Sequence, residues 1–188
     1  MGRIVITEFV SLDGVIEAPG GGEGFKYDGW SFEIDRGDDG NTFKLEETMA
    51  SEALLLGRTT YEGFAAAWPE RDGEFADKFN TMPKYVVSST LKDPTWNNSQ
   101  VVGGYDPETI RKLKDELDGD LYTSGSITLV RAMLDDGLID GLHLFVYPLT
   151  RGDGPRLFPE GAAARKLELA KSETYDNGVQ YLNYRPLA

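Results

Sequence analysis

Three features of the sequence predict an α/β fold with a mostly parallel sheet covered on both faces and an antiparallel hairpin at its end. Short apolar or β-branched runs alternate with helical patterns through the first three quarters of the chain. Two of those runs, Leu54–Leu56 and Leu121–Thr123, pass through a glycine directly into a helix, as strand-to-helix corners do in such sheets. Near the C-terminus, Asn177-Gly178 separates two alternating segments, which is a strong hairpin signal. At 188 residues with 40% hydrophobic content, the expectation is a single domain over 1–188, with no internal repeat and no linker.

Taken in order, Ile4–Val10 is β-branched and apolar and forms a first strand, closed by the turn Ser11-Leu12-Asp13-Gly14. From Glu17 to Gly29 the composition is that of a loop, with Pro19, three consecutive glycines and interspersed aromatics; its length suits either an active-site loop or a long surface loop. A helix is expected from Thr42 to about Ser51, followed by the Ala53–Leu56 strand and a helix over Tyr61, Phe64 and Trp68 that Pro69 stops. Phe75–Met82 reads as a further short helix and Lys84–Thr90 as a strand ending in three hydroxyls. Val101-Val102 adds a short strand, and Pro107–Leu117 a charged amphipathic helix with proline near its start. Asp120–Thr123 is a strand and leads to a helix with Leu129, Val130, Met133 and Leu134 as its apolar face. Gly141–Tyr147 is a strand closed by Pro148, Thr150–Pro159 a Gly/Pro-rich loop, and Leu167–Tyr175 with Val179–Tyr184 the closing hairpin.

Composition excludes several chemistries. The chain has no cysteine, so thiolate nucleophiles, thiolate metal sites and disulfides are absent, in keeping with a reducing compartment. Its single histidine, His143, lies in an apolar run and reads as a strand residue, which leaves no multi-histidine metal site. Thirty-two acidic against 19 basic residues give a net charge of −13, which opposes nucleic acid and anionic membranes. No run approaches the roughly 18 consecutive apolar residues that span a bilayer, and the first residues lead straight into a strand pattern; the expected location is the cytoplasm.

The stretch Ala53–Glu62, A-L-L-L-G-R-T-T-Y-E, carries the sharpest chemical content. The first turn of a helix leaves backbone N–H groups unpaired, and Gly57, Arg58, Thr59 and Thr60 place a guanidinium and two hydroxyls beside them, which suits a phosphate. A capped helix with a surface arginine is the plain alternative. Ser124-Gly125-Ser126-Ile127-Thr128 repeats the arrangement at a second corner, where Gly125 allows close backbone approach. Asp35–Glu46 approaches calcium-loop spacing, but Gly37 stands where a ligand is needed, so a helix N-terminus with early acids is the simpler reading.

The ordered blocks S-L-D-G, L-L-G-R-T-T-Y-E, K-Y-V-V-S-S-T-L, L-Y-T-S-G-S-I-T-L-V-R-A-M-L and L-I-D-G-L-H-L-F-V-Y-P-L with G-D-G-P-R-L-F resemble the dihydrofolate-reductase-like family. Within it, they are most similar to the reductase domain of bacterial riboflavin biosynthesis and its stand-alone relatives. The resemblance spans nearly the whole chain and implies a three-layer α/β/α fold and NADPH bound at the carboxyl edge of the strands. It also implies reduction of a pterin-like or pyrimidine-like small molecule, and a homodimer. Carried over residue by residue, it implies that Gly57, Arg58, Thr59 and Thr60 hold cofactor phosphates. Ser88, Ser89 and Thr90 then lie near the adenosine 2′-phosphate, and Ser124, Gly125, Ser126, Ile127 and Thr128 at the pyrophosphate. Asp13, in the S-L-D-G turn, is the candidate for polarising or protonating the reacting centre, with an Asx-turn role as its alternative. The orienting acid of dihydrofolate reductases has no assignable counterpart among Asp38, Asp39, Asn41 and Glu46, and the riboflavin enzymes' deaminase domain is missing. Two functions from different classes follow: an NADPH-dependent reductase, or a non-catalytic module that binds a nucleotide, pterin or flavin on the same fold.

Overall fold

A computed structural model describes residues 2–22 and 24–187 of the chain. One eight-stranded sheet runs through it in the order β4-β3-β2-β5-β1-β6-β8-β7. Its strands are β1 (Arg3–Ser11), β2 (Ser51–Gly57), β3 (Lys84–Val87), β4 (Ser99–Gly103), β5 (Asp120–Ser124), β6 (Gly141–Tyr147), β7 (Leu167–Thr174) and β8 (Gln180–Pro186). Five helices accompany them: α1 (Gly37–Ala50), α2 (Arg58–Ala67), α3 (Glu74–Thr81), α4 (Pro107–Glu116) and α5 (Ile127–Asp135). Strands β1 to β6 pair in parallel, and β6, β8 and β7 pair antiparallel, as expected for this fold class.

The leucine run shows why the sheet is buried on both faces. Successive strand residues point to opposite sides, so Ala53 and Leu55 pack with Ile110, Leu113, Val130 and Met133 of α4 and α5. Leu54 and Leu56 face the other way and pack with Tyr61 of α2 and Phe79 of α3. All four of these strand residues are fully buried, which is the reason the segment reads as continuous apolar text rather than as alternation. A third, aromatic cluster joins Trp30, Phe145, Tyr147 and Tyr181 with Phe43 of α1.

Two boundaries differ from expectation. Helix α1 begins at Gly37 rather than Thr42: the Asp35 carboxylate accepts from the Gly37 N–H at 2.9 Å, and Asp38 and Asp39 then occupy the first turn, where acids suit the helix dipole. The calcium-like spacing is thus wound onto helical turns. Strand β3 ends at Val87, because the Ser88 hydroxyl accepts from the N–H groups of Thr90 and Leu91 at 3.2 and 3.0 Å and turns the chain. In the closing hairpin Asn177 and Gly178 both take positive φ, 54° and 78°, as an Asn-Gly turn requires. The Asn177 amide also donates to the Asp35 carbonyl at 2.7 Å, tying the hairpin to the start of α1.

Register shapes the carboxyl edge of the sheet. The last β5 residue, Ser124, lies opposite Thr7, whereas β1 continues to Ser11 beside Tyr147 of β6. Because β5 stops short between longer neighbours, a crevice opens there, at the end of a parallel sheet where ligands of such folds bind.

Candidate active site

The two strand-to-helix corners meet in that crevice and are stitched together. The Ser126 hydroxyl accepts from the Gly57 N–H at 2.9 Å, and the Thr60 hydroxyl accepts from the Ser126 N–H at 2.8 Å. Ser126 is held in the left-handed region at φ 62°, a conformation costly for a residue with a side chain, and Gly125 before it lies at φ 68°. A β-carbon on Gly125 would stand 3.1 Å from the Thr60 methyl, so the turn needs glycine both for its dihedral and for its contact. The first turns of α2 and α5 are thereby presented side by side, with their unpaired N–H groups in one place.

Arg58 extends the site toward β3. Its Nη1 donates to the Thr90 hydroxyl at 2.8 Å while its Nε pairs with Glu62 at 2.7 Å, and the Arg58 side chain remains about half exposed. The Ser88 turn sets Thr90 in that position.

A cavity of about 710 Å³ occupies the crevice. It is lined by Gly57, Arg58, Thr59 and Thr60, by Ser88, Ser89 and Thr90, and by Gly125, Ser126, Ile127 and Thr128. Of the residues expected at a cofactor, only Ser124 is not in the lining; it ends β5 and leads into the turn. The volume falls within the range of roughly 300–1,000 Å³ usual for small-molecule sites. The site also draws in Glu17, Ala18 and Pro19 from the loop whose length suits an active-site loop, together with residues that the sequence did not point out: Ile16, Tyr105 beyond β4, Arg131 on α5, and Pro155. For Arg131 a signal existed, since it lies three positions after Thr128 and so shares its helix face. In the same wall Ala18 is buried at φ 45°, a strained backbone held by N–H donation from Gly21 and Gly29 to its carbonyl.

Asp13 lies elsewhere. Its carboxylate accepts from the Ser11 hydroxyl at 2.6 Å and from the N–H groups of Arg151 and Gly152, the latter at 2.7 Å, and it is not in the cavity lining. Partial burial would raise its pKa, but the Ser11 hydroxyl and the two amides outweigh that and hold it below the usual value. The Val15 N–H, two residues on, donates to the Ser11 hydroxyl at 2.8 Å, so no Asx turn forms; the carboxylate instead clamps its turn to the Arg151–Gly152 loop.

Beneath an aromatic layer formed by Phe9, Phe43, Phe145 and Tyr181 lies a buried polar network. Glu47 of α1 accepts at one oxygen from Lys44 at 2.8 Å, from the Tyr122 hydroxyl at 2.8 Å and from the Thr7 hydroxyl at 3.1 Å. Its other oxygen meets His143 Nδ1 at 2.5 Å. Lys44 also donates to Thr7 at 2.8 Å and to the Tyr122 oxygen. His143 is therefore a strand residue with a partner 96 positions away, a contact that no local pattern could announce. Burial alone would raise the Glu47 pKa, yet Lys44 and His143 override it and place the carboxyl well below the ordinary range. The sign follows: a carboxyl with a lower pKa folded than unfolded stabilises the protein fully above its ordinary value near 4.5, and that contribution fades as pH drops below it. In urea titrations between pH 6 and pH 3, the stability gap between the unaltered chain and Glu47→Gln is therefore expected to narrow toward acid; a gap independent of pH would contradict this.

A dihydrofolate-reductase-like sheet with paired helix N-termini converging on one cavity at its carboxyl edge defines a reductase-type fold, and the chain belongs to the RibD C-terminal domain family, whose model matches residues 3–181. The uncharacterized protein YyaP of Bacillus subtilis (strain 168) is 25% identical over 191 residues, covering 97% of this chain and 94% of that protein. A crystal structure from Shewanella sp. PV-4, provisionally described as a riboflavin biosynthesis protein, superposes with a TM-score of 0.79 at 20% identity over 99% of both chains. Dihydrofolate reductase from Enterococcus faecalis, complexed with NADP(H) and RAB-propyl, superposes with a TM-score of 0.62 at 18% identity over 99% of this chain and 97% of that one. Among the described residues no helix is long and apolar enough to cross a membrane.

Proposed function

We propose that the protein is an NADPH-dependent reductase of a pterin-like or pyrimidine-like small molecule. The observation that carries this reading is the convergence of the α2 and α5 N-termini, Arg58 and the Ser88–Thr90 turn on a single 710 Å³ cavity. The residues fit a phosphorylated dinucleotide: two sets of unpaired helix N–H groups and several hydroxyls suit a pyrophosphate, and a guanidinium braced by Thr90 suits an additional phosphate. Local groups of this kind are needed, since a net charge of −13 opposes any polyanion. When bound, the cofactor would supply the hydride. The chain's own part is to hold the nucleotide by its phosphates, to orient the acceptor in the remainder of the cavity and to limit water there.

Calorimetric titration is expected to give micromolar-range NADPH binding, in line with ordinary enzyme affinities, and weaker NADH binding. Binding of neither nucleotide would refute the reading. The commitment of Asp13 to the Arg151–Gly152 loop favours, as a second reading, a module that binds without turnover. Robust NADPH oxidation with any pterin, pyrimidine or flavin would eliminate that version.

A further inference from the structure

The sheet ends in a hairpin, β7–β8, whose two faces differ in charge. Register assigns the sides: Leu169 lies opposite Tyr184, while Tyr184 and Leu182 lie opposite Leu142 and Leu144 of β6. Leu167, Leu182 and Tyr184 pack at the margin of the core beneath α4 and α5. Leu167, Leu169, Ser172 and Thr174 of β7 therefore share that face with the even positions of β8 from Gln180 to Pro186. Among the described residues neither strand places a charge there, and the Thr174 hydroxyl donates to the neutral Gln180 amide oxygen at 3.0 Å. The reverse face carries Glu168, Lys171, Glu173 and Arg185. Its Lys171 pairs with Glu173 at 2.7 Å and lies 4.7 Å from the centre of the Phe43 ring of α1.

The neutral face is open to solvent. Leu169 is 49% exposed, Ser172 and Thr174 are exposed, and Leu182 and Tyr184 are half-buried. A solvated sheet face ordinarily takes charged residues, as the reverse face does, so an uncharged one in a chain with 27% charged residues marks a contact surface. Strands β6, β8 and β7, about 4.8 Å apart and seven or eight residues long at about 3.4 Å each, give it an area on the order of 300 Å². That is the core of a modest interface, below the roughly 800 Å² per partner of a standard one, and it suits association in the micromolar range.

We propose that two copies of the chain associate through this hairpin face, face to face about a twofold axis. Charge selects a second copy as the occupant. With a net charge of −13, copies repel one another except where their surface is neutral. A partner drawn by that charge would be basic, and this face offers it no carboxylate to pair with. A twofold axis opposes the face to itself, and a neutral surface is its own electrostatic complement. Pairing along the β7 edge is opposed by the bulge between Leu169 and Lys171 and by the charges of Glu168 and Lys171.

Sedimentation velocity across the micromolar range is expected to show a monomer–dimer equilibrium that tightens with added salt, because salt screens the net repulsion. Leu169→Arg is expected to weaken it about tenfold or more, since it buries an unpaired charge in the contact, while the melting temperature of dilute protein stays unchanged. The chain has no cysteine, so single introduced thiols locate the contact. In Ser172→Cys, maleimide labelling is expected to slow as the protein is concentrated into the dimer; in Lys171→Cys, on the reverse face, the rate should hold constant. Should Leu169→Arg lower the melting temperature, the labelling pair alone decides. A monomer at every concentration overturns the proposal. So does a dimer in which Ser172→Cys labels at an undiminished rate, or one that a stably folded Leu169→Arg leaves intact, since either puts the contact elsewhere.

Discussion

Arg58→Ala is expected to weaken NADPH binding by about 10- to 100-fold, the range associated with roughly 1.5–3 kcal/mol for a hydrogen bond to a charged group. NADH should lose far less, because the guanidinium, braced by Thr90 at 2.8 Å, is assigned here to the phosphate that NADH lacks. Stability should scarcely move. Among the described residues its ion pair is the half-exposed i,i+4 contact with Glu62, and pairs of that kind contribute about 0.3–0.5 kcal/mol. For a domain of this size such a loss shifts the melting temperature by about 1–2 °C. Parallel titrations with both nucleotides and a thermal melt check the three statements together. Equal losses for NADPH and NADH would move the arginine away from nucleotide discrimination.

The opposite profile is expected of Lys44→Ala. Its ammonium is 6% exposed and Glu47 is 8% exposed, so removing the lysine leaves a buried carboxylate without its counter-ion. Breaking a buried pair in this way costs about 3–5 kcal/mol, a large part of the stability of an ordinary domain. The network is sealed beneath the aromatic layer and does not line the cavity, so the surviving folded fraction should bind NADPH nearly as before. Urea denaturation of the variant measures the first expectation and nucleotide titration the second. The double variant Lys44→Met with Glu47→Gln should regain part of the loss, since removing both charges relieves the desolvation that neither residue survives alone. A single variant that melts like the parent would show that the pair contributes no net stability.

The sequence made legible what is built from neighbours. Strand β6 falls on its expected bounds, Gly141–Tyr147, and the turn from β2 into α2 falls at Gly57-Arg58, because apolar runs and glycines act over a few residues. The grouping of Arg58 with Thr90 and of Gly57 with Ser126 followed from a resemblance that carries long-range geometry with it. Relations between distant residues escaped wherever neither source spoke. The Glu47–His143 contact joins a charged helix position to the only histidine, and each looks unremarkable in its own window. Asp13 shows the converse error of emphasis: a carboxylate in a suggestive turn is held by amides 138 and 139 positions later, and only the fold reveals that its acceptor capacity is taken. The early start of α1 was missed because Gly37 reads as a breaker, whereas its positive φ forms the bend through which the chain enters the helix.

The place of β1 in the sheet has a consequence for how the protein is made. The earliest strand in this sequence is the fifth along the sheet from one edge and the fourth from the other only once its partners exist, and those partners arrive late. Arg3 meets Asp120 after 117 intervening steps of the chain, and Ile4 donates to the Asp140 carboxylate after 136. Both edges of this apolar strand thus stay unpaired through most of synthesis, an open template for other nascent chains.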